Sequence, residues 1–241
     1  MSGTLGPGVY TVIGDIGVEY GDTLRLLPST IFNFLGPYSF GISGTLLAEG
    51  TETDSIVFTT DTLANPGRYP GLRFMGSGIS GSRLAYCLIE HGKAYFGGGV
   101  HCRESSSPSF THCVIRGNSA DSKGGGIYCF DASPTFANCT ISGNSAGSYG
   151  GGISCFSASP AFTNCVISGN SSIEGGGLIA LQGIPLSQIA LSVAIHVKIG
   201  GMACAVLLLP PGSRIVSLLA SIMKRLLFSL IIQQAVLSVA A

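Results

Sequence analysis

A repeat with a period of about 26 residues constrains this chain more than any other feature. One copy runs Gly124-Gly125-Gly126-Ile127-Tyr128-Cys129, then Ser133-Pro134-Thr135-Phe136-Ala137-Asn138-Cys139-Thr140-Ile141-Ser142-Gly143-Asn144-Ser145. The next runs Gly150-Gly151-Gly152-Ile153-Ser154-Cys155, then Ser159-Pro160-Ala161-Phe162-Thr163-Asn164-Cys165-Val166-Ile167-Ser168-Gly169-Asn170-Ser171. A fixed period of this length marks stacked units, none of which buries its apolar face alone.

Within one unit the apolar residues alternate. Ile127 and Cys129 flank Tyr128, and Cys139 and Ile141 flank Thr140, which is the period of a strand with one buried face. Phe136 is the inward residue of a strand between them. Asn138 and the pair Gly143-Asn144 separate the runs, and these residue types accept left-handed backbone. No segment of the repeat has helical spacing. Three short strands joined by sharp turns and then repeated make one coil of a parallel β-helix, so the expected class is all-β, a right-handed parallel β-helix solenoid.

Stacked coils bring equivalent residues to roughly 4.8 Å from one another. Cys87, Cys113, Cys139 and Cys165 then form one ladder, and Cys102, Cys129 and Cys155 a second. Asn118, Asn144 and Asn170 stack at a turn, where side-chain amides can bond along the axis at about 1 kcal/mol net each. The strand position His101, Tyr128, Ser154 varies and is expected to face solvent.

The chain divides into three stretches. Residues 1–85 lack the 26-residue spacing but carry β-rich runs, and are expected to form irregular coils with an end cap. The runs are residues 9–12, 23–26, 31–34, 40–42 and 56–59, with residues 65–71 and 76–81 as loops. Residues 86–177 hold the regular coils. In residues 178–241 Gly and Asn nearly vanish and Leu, Ile, Ala and Val dominate.

The genetic code accounts for that change. New codons can be built from the third base of each residue and the first two of the next. Gln188 with Ile189 then encodes only Asn or Asp, and Ile189 with Ala190 only Cys, Arg or Ser. The pairs up to His196 allow Thr, Ile, Ser, Gly, Asn and Ser in order. The shifted frame can therefore spell the motif found at residues 138–145. Residues from about Leu178 onward are expected to be an out-of-frame translation of further coils. The competing expectation is a membrane tether through residues 186–241, although His196, Lys198, Lys224 and Arg225 interrupt its apolar runs.

Composition narrows the function classes. Only 10% of the residues are charged and the net charge is zero, so no basic stripe marks a nucleic-acid partner. With 36 glycines but no G-X-Y period the chain is not collagen. The N-terminus has neither a basic n-region nor an apolar h-region, and the chain reads as a fragment.

The triple-glycine strand and the Ser-Pro-Thr-Phe-Ala-Asn-Cys-Thr-Ile-Ser-Gly-Asn-Ser run resemble the right-handed parallel β-helix repeat proteins of bacteria, of pectin-lyase-like fold. They are also similar to the repeats of chlamydial polymorphic outer-membrane proteins, although Phe136-Ala137-Asn138 is one residue shorter than the second motif of those repeats. The resemblance covers roughly residues 9–177. It implies a secreted or surface-attached protein whose export signal and anchor lie outside this chain.

That fold hosts polysaccharide lyases and glycosidases, and fold alone does not give function. Glycosidases need two carboxylates across a scissile bond. The weak catalytic candidates are Asp131 and Glu104, in similar turns of adjacent coils, with Arg103 and Arg116 nearby in sequence. The cysteine spacing fits no zinc motif, and stacked thiols run parallel, which is poor disulfide geometry. Buried thiols filling the core are the better reading, with no metal and no cofactor expected. His91, His101 and His112 are isolated and read as structural or surface residues. The triple glycines precede no helix and are corners, not phosphate loops.

The favoured expectation is a non-enzymatic secreted or cell-surface scaffold, adhesin-like, with an extracellular glycan or a protein surface as partner. The alternative is a polysaccharide lyase or glycoside hydrolase, and the membrane-tethered protein comes third. Sequencing the gene across the codons for residues 175–186 checks the tail. A missing or extra base is expected; an intact frame moves the tethered reading to the front.

Overall fold

The structure, a computed structural model, describes residues 1–63, 68–76, 81–181, 193–199 and 202–208, and from residue 179 on it describes strand backbone alone. The described residues contain strands and turns but no helix. The first coil is β1 (Gly3–Leu5), β2 (Gly8–Val12) and β3 (Ile16–Val18). The second is β4 (Thr23–Leu26), β5 (Thr30–Phe34) and β6 (Phe40–Ile42), and the third is β7 (Thr45–Glu49), β8 (Ile56–Thr59) and β9 (Leu72–Met75).

From the fourth coil an extra short strand enters. That coil is β10 (Arg83–Ala85), β11 (Cys87–Glu90), β12 (Lys93–Phe96) and β13 (Val100–Arg103). The fifth is β14 (Ser109–Thr111), β15 (Val114–Arg116), β16 (Ser119–Lys123) and β17 (Ile127–Phe130). The sixth is β18 (Thr135–Ala137), β19 (Thr140–Ser142), β20 (Ser145–Ala146) and β21 (Ile153–Phe156). β22 (Ala161–Thr163), β23 (Val166–Ser168) and β24 (Leu178–Leu181) begin another. Finally β25 (Val193–Ile199) lies beside β23 and forms an antiparallel hairpin with β26 (Met202–Leu208).

Like strands of successive coils pair in parallel. Face A is β1-β4-β7-β10-β14-β18-β22, face B starts at β2 and runs through β23, and face C joins β3 to β24. The narrow face D is β12-β16-β20. The result is a parallel β-solenoid of about six turns. The change of spacing near residue 86 does not interrupt it, because β7, β8 and β9 pair in register with β10, β11 and β13. The first coil, β1 to β3, ends the solenoid on its N-terminal side. Its open end holds a cavity of about 270 Å³ lined by residues that include Leu5, Tyr10, Val12, Ile16 and Phe32.

Each coil of the regular stretch therefore has four strands, not the three read from the sequence. Face D escapes a pattern search because each of its strands turns one small alanine inward, Ala94, Ala120 and Ala146 in register, among mostly polar neighbours. The corners are left-handed and recur by column. Tyr86, His112, Asn138 and Asn164 join face A to B at φ 50, 52, 55 and 53. Gly97, Gly124, Gly150 and Gly175 join face D to C at φ 62, 66, 60 and 61.

The core is a set of like-on-like columns. On face A, Phe110, Phe136 and Phe162 stack with centroids 4.7 and 4.9 Å apart and planes within 11° and 8°. Ile89, Ile115, Ile141 and Ile167 stack on face B, all fully buried. Each such side chain contributes about 2–3 kcal/mol of burial. Tyr69, which falls in a segment that reads as a loop, is also fully buried. It stacks on Phe34 at 4.4 Å, and its hydroxyl donates to Phe58 O at 3.0 Å.

The corner between faces B and D carries the asparagine ladder. Asn144 Oδ1 accepts from the Asn118 backbone N–H and from Asn118 Nδ2, both at 3.0 Å. Asn144 Nδ2 donates to Ile115 O at 2.9 Å and to Asn170 Oδ1 at 3.0 Å. Asn118 repeats the scheme toward Gly92 N–H and Ile89 O. These amides press on the glycine corners. A Cβ on Gly126 would lie 2.7 Å from Gly152 O and 2.9 Å from Asn144 Nδ2, and one on Gly152 would lie 2.8 Å from Asn170 Nδ2.

Two substitutions test this coupling. Asn144→Ala leaves the buried Asn118 backbone N–H and one of its two amide N–H groups without an acceptor and is expected to destabilise the fold by about 2–4 kcal/mol. Gly126→Ala forces backbone apart and is expected to lower stability by about 1–3 kcal/mol. Urea unfolding measures both, with Asp121→Asn on the exposed surface as the near-neutral control.

Candidate functional site

The richest chemistry gathers on the outer side of face C. Register sets two outward columns there. The first is Gly17, Gly41, Arg73, His101, Tyr128 and Ser154. The second, two residues further along each strand, is Met75, Arg103, Phe130 and Phe156.

The first column is not solvent-facing as expected. Tyr128 is 7% exposed and Ser154 1%. The glycine corner folds over it: a Cβ on Gly124 would sit 2.9 Å from that of Tyr128, and one on Gly150 would sit 3.0 Å from that of Ser154. Phe96 adds to the cover, stacking on Tyr128 at 4.9 Å, while His101 meets the same ring edge-on at 5.2 Å. Ser154 Oγ is buried there with no hydrogen-bond partner among the described residues.

Below them Arg73 Nη1 donates to Phe96 O at 2.8 Å and approaches His101 Nδ1 at 2.5 Å. Burial, followed by the charges of Arg73 and Arg103, pushes His101 down to about 3. Burial and then Arg103 draw Arg73 down to about 10. Both shifts have the sign expected when a cation is desolvated beside like charge.

The second column is open. Phe130 is 43% exposed, and its ring lies parallel to that of Phe156, 3° between planes and 5.5 Å between centroids. At the corner that follows, Glu104 and Asp131 occupy left-handed positions one coil apart, φ 57 and 49. Their turns are tied by Ser105 N–H donating to Asp131 O at 2.5 Å. Both side chains are exposed, and Glu104 pairs with Arg103 at 3.1 Å. The structure thus brings the two weak catalytic candidates to one open corner. Arg116 lies elsewhere, on face B, where it grips the buried Glu90 carboxylate at 2.9 Å.

The remaining site residues lie inside. Cys102, Cys129 and Cys155 are paired directly on face C, while Cys87, Cys113, Cys139 and Cys165 line the start of face B. All seven are buried and free. The face B thiols donate to backbone carbonyls, as Cys113 does to Leu84 O and Thr111 O at 3.4 Å. Hydrogen bonding to Cys113, joined by burial, pushes Cys139 up to about 12. Such thiols are inert as nucleophiles. Among the described residues no group of three or more His, Cys, Asp or Glu is placed to hold a metal ion. His112 stacks on Tyr86 at 4.8 Å along an outer corner, and His91 stands 3.9 Å from Glu90.

Sequence reasoning missed Arg73 and Phe96. Arg73 belongs to the irregular coils, and its spacing to His101 is not that of the repeat, so only strand register sets them side by side. Phe96 belongs to face D, the strand that the pattern does not reveal.

Architecture and columns together define a parallel β-solenoid protein. The family model for the right handed beta helix region matches residues 40–186, more than half of the chain, and the chain belongs to that family. Searches of curated proteins and of solved structures found no match.

The His101 environment makes a pH prediction. Above about pH 6.5 the imidazole is neutral in both states; below it the unfolded chain takes a proton that folded His101 declines until about pH 3. The stabilisation is therefore present above pH 6.5 and lost as the pH falls toward 3. Replacing His101→Gln is expected to remove about 2 kcal/mol of that acid loss, after allowance for partial exposure. Urea titrations of both proteins across this range measure it.

Proposed function

We propose that this chain is a non-enzymatic scaffold, secreted or displayed at a cell surface, that binds an extracellular glycan or protein along its outer faces. The observation that carries this reading is the stripe on face C of exposed Arg103, exposed Phe130 and half-buried Phe156. Exposed aromatic rings held rigid by a sheet lose little entropy on binding and are enriched at contact surfaces. The parallel backbone ladders hold the stripe at fixed spacing, which suits an extended, repetitive partner.

A second reading rests on Glu104 and Asp131. Equivalent positions in adjacent coils are roughly 4.8 Å apart, near the carboxyl separation of retaining glycosidases. Against it, Glu104 is engaged by Arg103 and the corner is open to water, so a scissile bond is not enclosed.

A panel of extracellular polysaccharides separates the two. The scaffold reading expects binding without new chain ends, weakened about tenfold by Phe130→Ser combined with Phe156→Ser. Depolymerisation that disappears in Asp131→Asn or Glu104→Gln would sink it and establish the enzyme.

A further inference from the structure

Among the described residues, Arg73 is a partly buried guanidinium with no carboxylate paired to it. Its hydrogen-bond partners are Phe96 O and His101 Nδ1, and no carboxylate is among them. The ion pairs of the described residues engage Arg25, Arg103 and Arg116 but not Arg73. All 12 Asp and Glu of the chain lie within the described residues, and none of them pairs with Arg73. Burying a cation without an anion is unfavourable, so such a group is stabilised by a bound one.

The surroundings add donors. His101 accepts from Arg73 at Nδ1, so its neutral ring carries the proton on Nε2, a further donor. Arg103 projects from the same side of β13 two residues on, and the exposed Glu104 engages it at Nε, leaving its terminal nitrogens. The coil before Arg73 leaves room. Its register partner is Gly41, and Gly41 pairs with Gly17. A Cβ on Gly41 would meet only Met75 Cε, at 3.6 Å. Glycine leaves that position without a side chain of its own, although the Met75 methyl group stands at its edge, and one coil beyond it Glu19 Oε1 lies 3.1 Å from where a Cβ on Gly17 would stand.

We propose that Arg73, His101 and Arg103 form an oxyanion-binding site on the outer side of face C, above the bare strand at Gly41. Two guanidinium groups and one imidazole N–H, approaching from different residues, suit a tetrahedral group with several oxygens, a sulfate or phosphate, better than a planar one. The group can be a free ion or an ester on a larger molecule. The site stands whether or not the Phe130–Phe156 stripe binds a glycan, since its donors Arg73 and His101 take no part in that stripe.

The test uses the full chain and compares sodium sulfate and sodium phosphate with sodium chloride at equal ionic strength. Sulfate or phosphate is expected to raise the melting temperature above chloride, with saturable binding by calorimetry. Arg73→Gln is expected to weaken that binding about tenfold and Arg103→Ala severalfold. Gly41→Val keeps every donor but fills the space, and is expected to abolish it. If Arg73→Gln fails to fold, judged by circular dichroism, the other two variants carry the test. A sulfated oligosaccharide that binds more tightly than both its desulfated form and free sulfate identifies an ester as the group recognised; equal binding to free sulfate identifies the ion. Oxyanions that act no differently from chloride, or binding unchanged in both Arg103→Ala and Gly41→Val, would overturn the proposal.

Discussion

The rest of this structure depends on the side-chain hydrogen bond that runs from one asparagine to the next along the solenoid axis. Asn118, Asn144 and Asn170 each occupy a corner where the chain turns from face B to face D. The corner leaves backbone N–H groups pointing along the axis, and the amide oxygen one coil on accepts them. Burial strengthens these bonds and makes each unmade one expensive. Because the amides lie inside the corner, the next stretch of chain passes within contact of them. Only glycine fits there, which is why triple glycine and Asn-Ser recur together.

That constraint propagates outward. The glycine corner is so tight that it closes over the first outward column of face C, taking Tyr128 and Ser154 from solvent. What remains for contact on that face is the second column, where Phe130 is exposed and Phe156, stacked on it, is half-buried. In the third coil no triple glycine precedes β9, and Arg73 occupies the covered column instead of a small or aromatic residue. A guanidinium then lies where later coils hold a phenol and a hydroxyl. The chemistry of the protein thus gathers where the repeat is least regular.

Much of the architecture was legible in the chain. The alternation around Ile127, Cys129, Cys139 and Ile141 identifies strands because inward and outward residues differ in kind. Phe136 and Phe162 announce their column by recurring one period apart. Face D was not legible, because Ser119, Asp121, Ser122 and Lys123 surround a single inward alanine and give alternation nothing to act on. Tyr69 was not, because Pro and Gly on either side mark a turn, and nothing local says that its ring reaches Phe34. The exposure of the His101 column was misread for a similar reason. Alternation tells which residues leave the core side of a strand, not what crosses over them afterwards.

The sequence by itself determined the class of fold, the coil length, the inward columns and the corners. These follow from local chemistry, the pleat and the left-handed tolerance of Gly and Asn, repeated at one period. Only the tertiary structure decided which outward residues meet water and which cations share a pocket. Cover and register are properties of neighbouring coils, and in the irregular N-terminal coils the distance along the chain between two neighbours carries no period from which their contact could be read.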